Sequence, residues 1–438
     1  MNAPDPRSSK PPHGDVQREV TRGEFFKIFT AVMLPMFMAM IDQTLLATAT
    51  PVVAAEFGNL YDTSWIATAY LLTSAVMVPV YGRLGDRHGR REILFVSLAI
   101  FVTGSMLSAA SQSMNQLIAG RAVQGLGAGG LMSLSFALIG ELIPPRQRIA
   151  FQGYFAIIGT AANIIGPVVG GQVVAYASWR WLFLANLPLG ALAAWRLARM
   201  PRGLHRADAP GVSDLGGLAL FAVGTTLALF GFSSAGHRFA WLSWQTGACI
   251  GAGALAWAAL LVHESRQRAP FFPIDLLKIH ALRTSLVTAI CSTFCLLALV
   301  FYLPVYFQLG LQTGAAQAGL LLTPVLLGFV VGLGLGPTMP IVQVVVQTIG
   351  GRERLGAASA LVVLARTLGA ALGTAVIGAI VYGLMPDVDL SQLMRHGSVG
   401  LAPGNAEVVR AFHVAFFVTG LVAALGAFNA SRLPRVRI

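Results

Sequence analysis

The stretch "GRLGDRHGRR", Gly82 to Arg91, sets one carboxylate among arginines and glycines, with long apolar runs on both sides. Glycine has no Cβ, so Gly82 and Gly89 permit a tight turn and close helix approach. Asp86 can accept hydrogen bonds from the loop arginines, or sit at a helix N-terminus where the dipole favours a carboxylate. Arg87, Arg90 and Arg91 can face anionic lipid and form switchable pairs. On composition alone the stretch reads equally as a basic loop that sets topology and as a gate.

Outward from this loop the chain is apolar. Hydrophobic residues make up 55% of the 438 and charged residues 11%, against about a quarter charged in a soluble domain. Uncharged runs of about 20 residues recur, the length a membrane-spanning helix needs. They are apolar all round, without the period-two alternation of a barrel strand. The expected spans are Phe29–Thr50, Ser64–Gly82, Ile93–Ala110, Gln116–Ile139, Ala150–Ala175, Trp181–Leu197, Leu215–Ser233, Trp244–Val262 and Thr284–Leu303. An unusual segment, Ala315–Thr348, follows, and then Leu355–Tyr382 and Val408–Asn429.

The net charge of +12 does not point to nucleic acid, because the Lys and Arg residues sit in short loops between apolar runs. With the N-terminus inside, only Arg180, Arg238, Arg395 and Arg410 fall outside, while Arg121 and Arg366 lie within spans. That bias fixes the orientation, with both termini cytoplasmic. The first 27 residues are polar and basic and lack a signal-peptide apolar core. Cys249, Cys291 and Cys295 lie inside spans and suit packing better than a disulfide or metal site. No metal constellation, soluble catalytic triad or phosphate-binding G-x-x-x-x-G-K-[ST] is present, so neither an enzyme nor an ATP-driven pump is expected.

Ala315–Thr348 is too long for one perpendicular crossing of about 20 residues and too short for two with a turn. The positive-inside rule favours one crossing, since two would invert everything after it. Pro337 and Pro340 are the expected kink sites.

Charges inside the spans are candidate functional groups, because a carboxylate there costs on the order of 3 kcal/mol. Asp42 and Arg121 are expected at matching depth in the outer half of the bilayer, where they can pair or exchange partners. Desolvation and a nearby arginine act on a carboxylate in opposite directions, which suits a group that loads and releases a proton. A fixed structural ion pair is the competing reading. Gly166-Pro167 breaks a backbone bond and thins a helix surface, as a packing notch or a bend. Arg366 falls near mid-membrane. Tyr70, Met77, Tyr302 and Tyr306 can line an apolar cavity, or simply pack.

The order G-x-L-x-D-R-x-G-R-R, between the second and third spans, resembles the cytoplasmic loop signature of the major facilitator superfamily. "LIAGRAVQGLGAGG" is similar to the family's helix-four arginine motif, with Arg121 at the arginine. "GTAANIIGPVVGG" resembles the motif of its antiporters, with Gly159, Gly166, Pro167, Gly170 and Gly171 in place. "WRWLFLANLPLG" and "MIDQTLLATATP" look like the fourteen-helix drug:proton antiporter branch (EmrB/QacA type).

The resemblance implies an all-α polytopic membrane protein with major facilitator-like helical bundles. About 12 spans are expected here, with a shortened C-terminal half. Residues 1–27 would be a cytoplasmic tail, 28–200 a six-helix bundle and 201–283 two extra helices with a linker. Residues 284–430 would be the shortened bundle, and 431–438 a basic cytoplasmic tail. The tenth and twelfth helices of the branch look joined near Gly332-Leu333, with the material between them absent.

The implied function is secondary active multidrug efflux in the cell membrane, inner or plasma. Amphipathic or cationic compounds would be exchanged for protons by alternating access. Asp42 and Arg121 would couple protons, and Gly82, Asp86, Arg87, Gly89, Arg90 and Arg91 would form the cytoplasmic gate. The N-terminus of Leu355–Tyr382 would face Asp86. The glycine–proline motif would set export. No cofactor is expected, the proton gradient being the energy source. Expected partners are the small-molecule substrate, anionic lipid and accessory efflux components. Two alternatives are a transport-incompetent deletion form, acting structurally or in an assembly, and a proton-linked metabolite uptake carrier.

Overall fold

In hydrocarbon a helix satisfies all its backbone groups internally, so apolar runs of this length fold as helices. The computed structural model describes residues 22–57, 62–143, 145–200, 214–235, 239–267, 274–311, 313–328, 342–343, 345–346, 355–384 and 404–432. Its helices are α1 (Arg22–Phe57), α2 (Thr63–His88), α3 (Arg90–Ala109), α4 (Met114–Leu142), α5 (Pro145–Tyr176), α6 (Arg180–Leu184) and α7 (Asn186–Ala198). They continue as α8 (Leu215–Ser234), α9 (Trp244–Arg266), α10 (Ile274–Leu277), α11 (His280–Val305), α12 (Ala315–Leu327), α13 (Leu355–Gly383) and α14 (Gly404–Ser431). Among the described residues no strand forms beyond one isolated bridge, Ala235 to Phe239. Among the described residues ten helical segments are long and apolar enough to cross a membrane, and Gly216–Phe232 is a shorter apolar helix. The chain is therefore an all-α, multi-pass membrane protein.

Apart from Ala315–Thr348, every expected span has a helix at its place. One is divided: α6 and α7 meet at Ala185. Pro188 supplies no N–H for the carbonyl of Leu184, so one helical hydrogen bond is missing at this break, and Pro188 falls in the first turn of α7. Serine and aspartate open others. Ser113 accepts the Gln116 N–H at 3.4 Å before α4, and Asp214 accepts the Gly217 N–H at 2.7 Å before α8. Ala315–Thr348 begins as α12, but residues 329–341 lie outside the described residues. So do the expected junction at Gly332-Leu333 and the kinks at Pro337 and Pro340.

α4 is the centre of the first part. Gly104 of α3 lies on the backbone of Gln124, Gly127 of α4 on that of Phe101, and Gly125 on the Tyr70 carbonyl. Any Cβ at these points would overlap a neighbour, so α2, α3 and α4 pack almost backbone to backbone. The second part uses the same device, with Gly369 and Gly373 of α13 against the Ile290 and Phe294 carbonyls of α11. The two parts meet where α13 lies along α2, α11 along α1, and α12 along α5. A buried apolar cluster runs from Ile28 of α1 to Ala415 of α14 across that seam.

Candidate functional site

Asp42 sits on α1 where α2, α3, α4 and α7 converge. Its Oδ2 accepts from Arg121 Nη1 at 2.5 Å. Its Oδ1 accepts from Gln124 Nε2 at 2.8 Å and Asn186 Nδ2 at 2.9 Å. Arg121 also donates to Gln124 Oε1 at 2.7 Å and, through Nε, to the Ile66 carbonyl at 3.3 Å. Ser105 accepts from Asn186 at 2.9 Å and donates to the Phe183 carbonyl at 2.9 Å. Arg121 has no exposed surface and Asp42 has 3%. Three N–H donors converge on the carboxylate, which suits its ionised form. The guanidinium lies 4.2 Å from the centroid of the Tyr70 ring, within cation–π range.

Tyr70 is also a wall of the central cavity, which encloses about 90 Å³ between the two parts. α1 contributes Met40, Gln43 and Thr44, α4 Met132, and α5 Asn163; from the other side come Leu296 and Leu297 of α11 and Arg366 of α13. The Tyr70 ring thus separates the Asp42–Arg121 pair from the cavity. A second cavity of about 20 Å³, the outer one by the expected topology, lies among Thr63, Tyr302, Thr374 and Tyr382. There Tyr302 donates to the Thr374 carbonyl at 2.8 Å, and the Thr63 and Tyr382 hydroxyls are 3.4 Å apart, joining α2 to α13.

The opening stretch becomes a tight turn between α2 and α3. Gly89 has φ 93°, a conformation glycine adopts without a Cβ penalty. Arg90 ties the turn together: it donates to Asp86 Oδ1 at 2.7 and 3.1 Å, to Glu141 Oε2 at 3.0 Å and to the Ala137 carbonyl at 3.0 Å. Arg91 donates to the carbonyls of Leu197 at 3.0 Å and Ala198 at 2.8 Å, capping α7. Arg90 and Arg91 are held by these acceptors and half-buried, while Arg87 is exposed. Gly82 faces Ala360 of α13, whose Cβ lies 3.6 Å from where a glycine Cβ would stand. Asp86 is held by Arg90, while the residues that precede α13 lie outside the described residues.

The glycine–proline motif forms the seam between α1 and α5. A Cβ on Gly159 would stand 2.8 Å from Met40 Cε, and one on Gly170 2.5 Å from the Leu45 carbonyl oxygen. Gly166 lies on Thr44, whose hydroxyl donates to the Ala162 carbonyl at 3.0 Å. Gly171 is buried. On the far side, Gly319 of α12 sits against the Pro167 carbonyl. Two expected cavity residues lie elsewhere. Met77 packs beside Gly129 in the α2–α4 contact, and the Tyr306 ring meets Phe412 at a tilt and Phe416 edge to face, with centroids at 5.3 and 5.8 Å. Both side chains point to helix neighbours, and neither lines a described cavity. Tyr302 lines the outer cavity, not the central one. Gln124, Asn186 and Ser105 were not expected at the Asp42 site. Gln124 follows Arg121 by three residues, on the same helix face, and that spacing was the available signal.

A family model described as "Major Facilitator Superfamily" matches residues 32–328. The chain belongs to this superfamily. That is a family of membrane transporters, not of enzymes. Relatives include the multidrug transporter protein MdtP of Bacillus subtilis (strain 168), 28% identical over 81% of this chain and 74% of its own length. An acurin A biosynthesis cluster MFS-type transporter of Aspergillus aculeatus is 31% identical over 69% of this chain and 55% of its own. Multidrug resistance protein 3 of B. subtilis is 28% identical over 70% and 60%. The chain thus spans between about half and three-quarters of these relatives' lengths. The inward-open xylose transporter XylE from E. coli superposes with a TM-score of 0.50, covering 94% of this chain and 97% of that one at 14% identity. This likeness concerns the fold alone.

Proposed function

We propose that this major facilitator protein is a secondary active exporter, moving amphipathic small molecules out of the cell in exchange for protons. The observation that carries this reading is the buried Asp42–Arg121 pair, set one ring behind the wall of a cavity between the two parts. Ionisable groups at this depth are functional by default, and a midplane site between two bundles suits alternating access. When the outer side opens, Arg121 shifts towards Gln124 and the Ile66 carbonyl, and Asp42 takes a proton. Substrate entering from the cytoplasm presses on Tyr70 and, through it, on Arg121. The pair re-forms as the proton leaves inward. Arg121 stays charged throughout.

Asp86, Arg90 and Glu141 latch α2, α3 and α4 at the cytoplasmic end, where α2 meets α13. The glycine seam lets α1 and α5 move as one body and gives α12 a face to close upon. The protein sits in the cell membrane with both termini cytoplasmic, and Arg87 is placed for anionic headgroups. The α8–α9 pair between the two parts supports the fourteen-helix antiporter branch, with a shortened second bundle. Flux in proteoliposomes under an imposed pH gradient tests the function. Wild type should move substrate only while the gradient stands, and Asp42→Asn should not respond to it. Equal background flux from both would reject export and favour a transport-incompetent form.

A further inference from the structure

We propose that the central cavity takes an anionic amphiphile, with a carboxylate or phenolate head held by Arg366 and an apolar body lying along Met40, Leu71, Met132, Leu296 and Leu297. It rests on the export reading for the direction of transport, but not for binding. Arg366 lies near the middle of α13, and it is the one charged residue that lines the cavity among the described residues. Its guanidinium contacts the Phe155 ring, 5.5 Å from the centroid. Among the described residues it has no hydrogen bond and no carboxylate within ion-pair distance.

Residues 315–350 contain no Asp or Glu, and Asp42, the acidic residue expected inside a span, is paired with Arg121. Guanidinium does not deprotonate in proteins, and a desolvated cation without an acceptor is unfavourable. The cavity is therefore electrostatically incomplete until an anion enters.

The neighbouring groups agree. Asn163, 9% exposed, lines the same cavity and has an amide to donate. The hydroxyls of Thr44, Thr293 and Thr367 already donate to backbone carbonyls. Among the described residues no carboxylate faces the cavity, so a cationic compound, which the family resemblance allows, would meet Arg366 as the charged group there. Charge movement then separates the classes. Export of a monoanion against a proton carries two positive charges inward, so an inside-negative potential drives it. Exchange of a monovalent cation for a proton is electroneutral.

The test is binding of pyrenebutyrate, its methyl ester and ethidium to the full chain in nanodiscs. Wild type should bind pyrenebutyrate at least ten-fold tighter than the ester, a difference of about 1.4 kcal/mol, and ethidium should bind more weakly than either. Arg366→Gln should bring the acid-to-ester ratio to near one with ester binding unchanged, which also reports an intact cavity. Arg366→Lys should keep part of the preference, and it carries the residue assignment if the glutamine variant does not fold. A wild-type ratio near one, tightest binding of ethidium, or an undiminished preference in both variants would overturn the proposal. Gradient-driven flux of pyrenebutyrate, accelerated by an inside-negative valinomycin potential, would support both readings. Binding with the stated preference but no flux would reject export and leave the ligand class standing.

Discussion

Replacing Asp42 by Asn removes one charge and keeps the side chain's shape. The carboxylate accepts three N–H groups, from Arg121, Gln124 and Asn186. An Asn offers one acceptor oxygen there and turns an NH2 towards the remaining donors. Arg121, fully buried and with Nη2 unpartnered among the described residues, keeps its charge and loses its counter-ion. Removing one partner of a buried ion pair costs about 3–5 kcal/mol. Arg121→Gln alone leaves the buried Asp42 carboxyl with only the two amides, and its cost should be of the same order. The double variant carries no charge at the site, so its cost should fall short of the summed single costs by about 2 kcal/mol. Denaturant unfolding in mixed micelles, followed by tryptophan fluorescence, measures all three. Additive costs, or an Asp42→Asn variant within about 0.5 kcal/mol of wild type, would refute the view that these charges depend on each other.

Three further outcomes are expected. Gly170→Ala puts a Cβ 2.5 Å from a backbone oxygen of α1 and should lose about 1–3 kcal/mol by overpacking. Gly247→Ala, with nothing within 4 Å inside α9, should gain up to about 1 kcal/mol; thermal unfolding compares the two. Arg90→Ala unties Asp86 and Glu141 and should raise thiol labelling of a cysteine placed at Ala360; unchanged labelling would count against a gate. Asp214, at the cytoplasmic start of α8, is pushed upward by burial. The Gly217 N–H, His263 and Arg83 outweigh that and hold its carboxyl below the ordinary value. Its stabilising contribution is therefore present above pH ~3.9 and fades as pH falls through the lower folded value. The gap in melting temperature between wild type and Asp214→Asn should be full near neutrality and close in acid.

The helices were legible because long apolar runs are a direct consequence of a bilayer. Asp42 and Arg121 were legible as a pair because charges inside spans are rare enough to be matched by depth. Gln124, Asn186 and Ser105 were not, since uncharged polar residues are tolerated in spans and raise no signal. The roles of Arg90 and Arg91 were hidden for a different reason. Arg91 binds the carbonyl ends of α7 and Arg90 reaches Glu141 and Ala137 on α4, and neither bond leaves a local sequence pattern. Met77 and Tyr306 carried the right chemistry for a cavity, but helix rotation decides which way such side chains point. Arg366 was legible as a charge inside a span, yet its lack of a counter-ion among the described residues became visible only with the cavity around it.

Asp42 as the site where a proton is exchanged for substrate is tested most directly by proton release on substrate binding. The purified chain is titrated in weakly buffered solution with a pH-sensitive dye. Wild type should release protons in proportion to site occupancy. Asp42→Asn should bind the same compound and release none. Equal release from the two proteins would place the exchanged proton on another group.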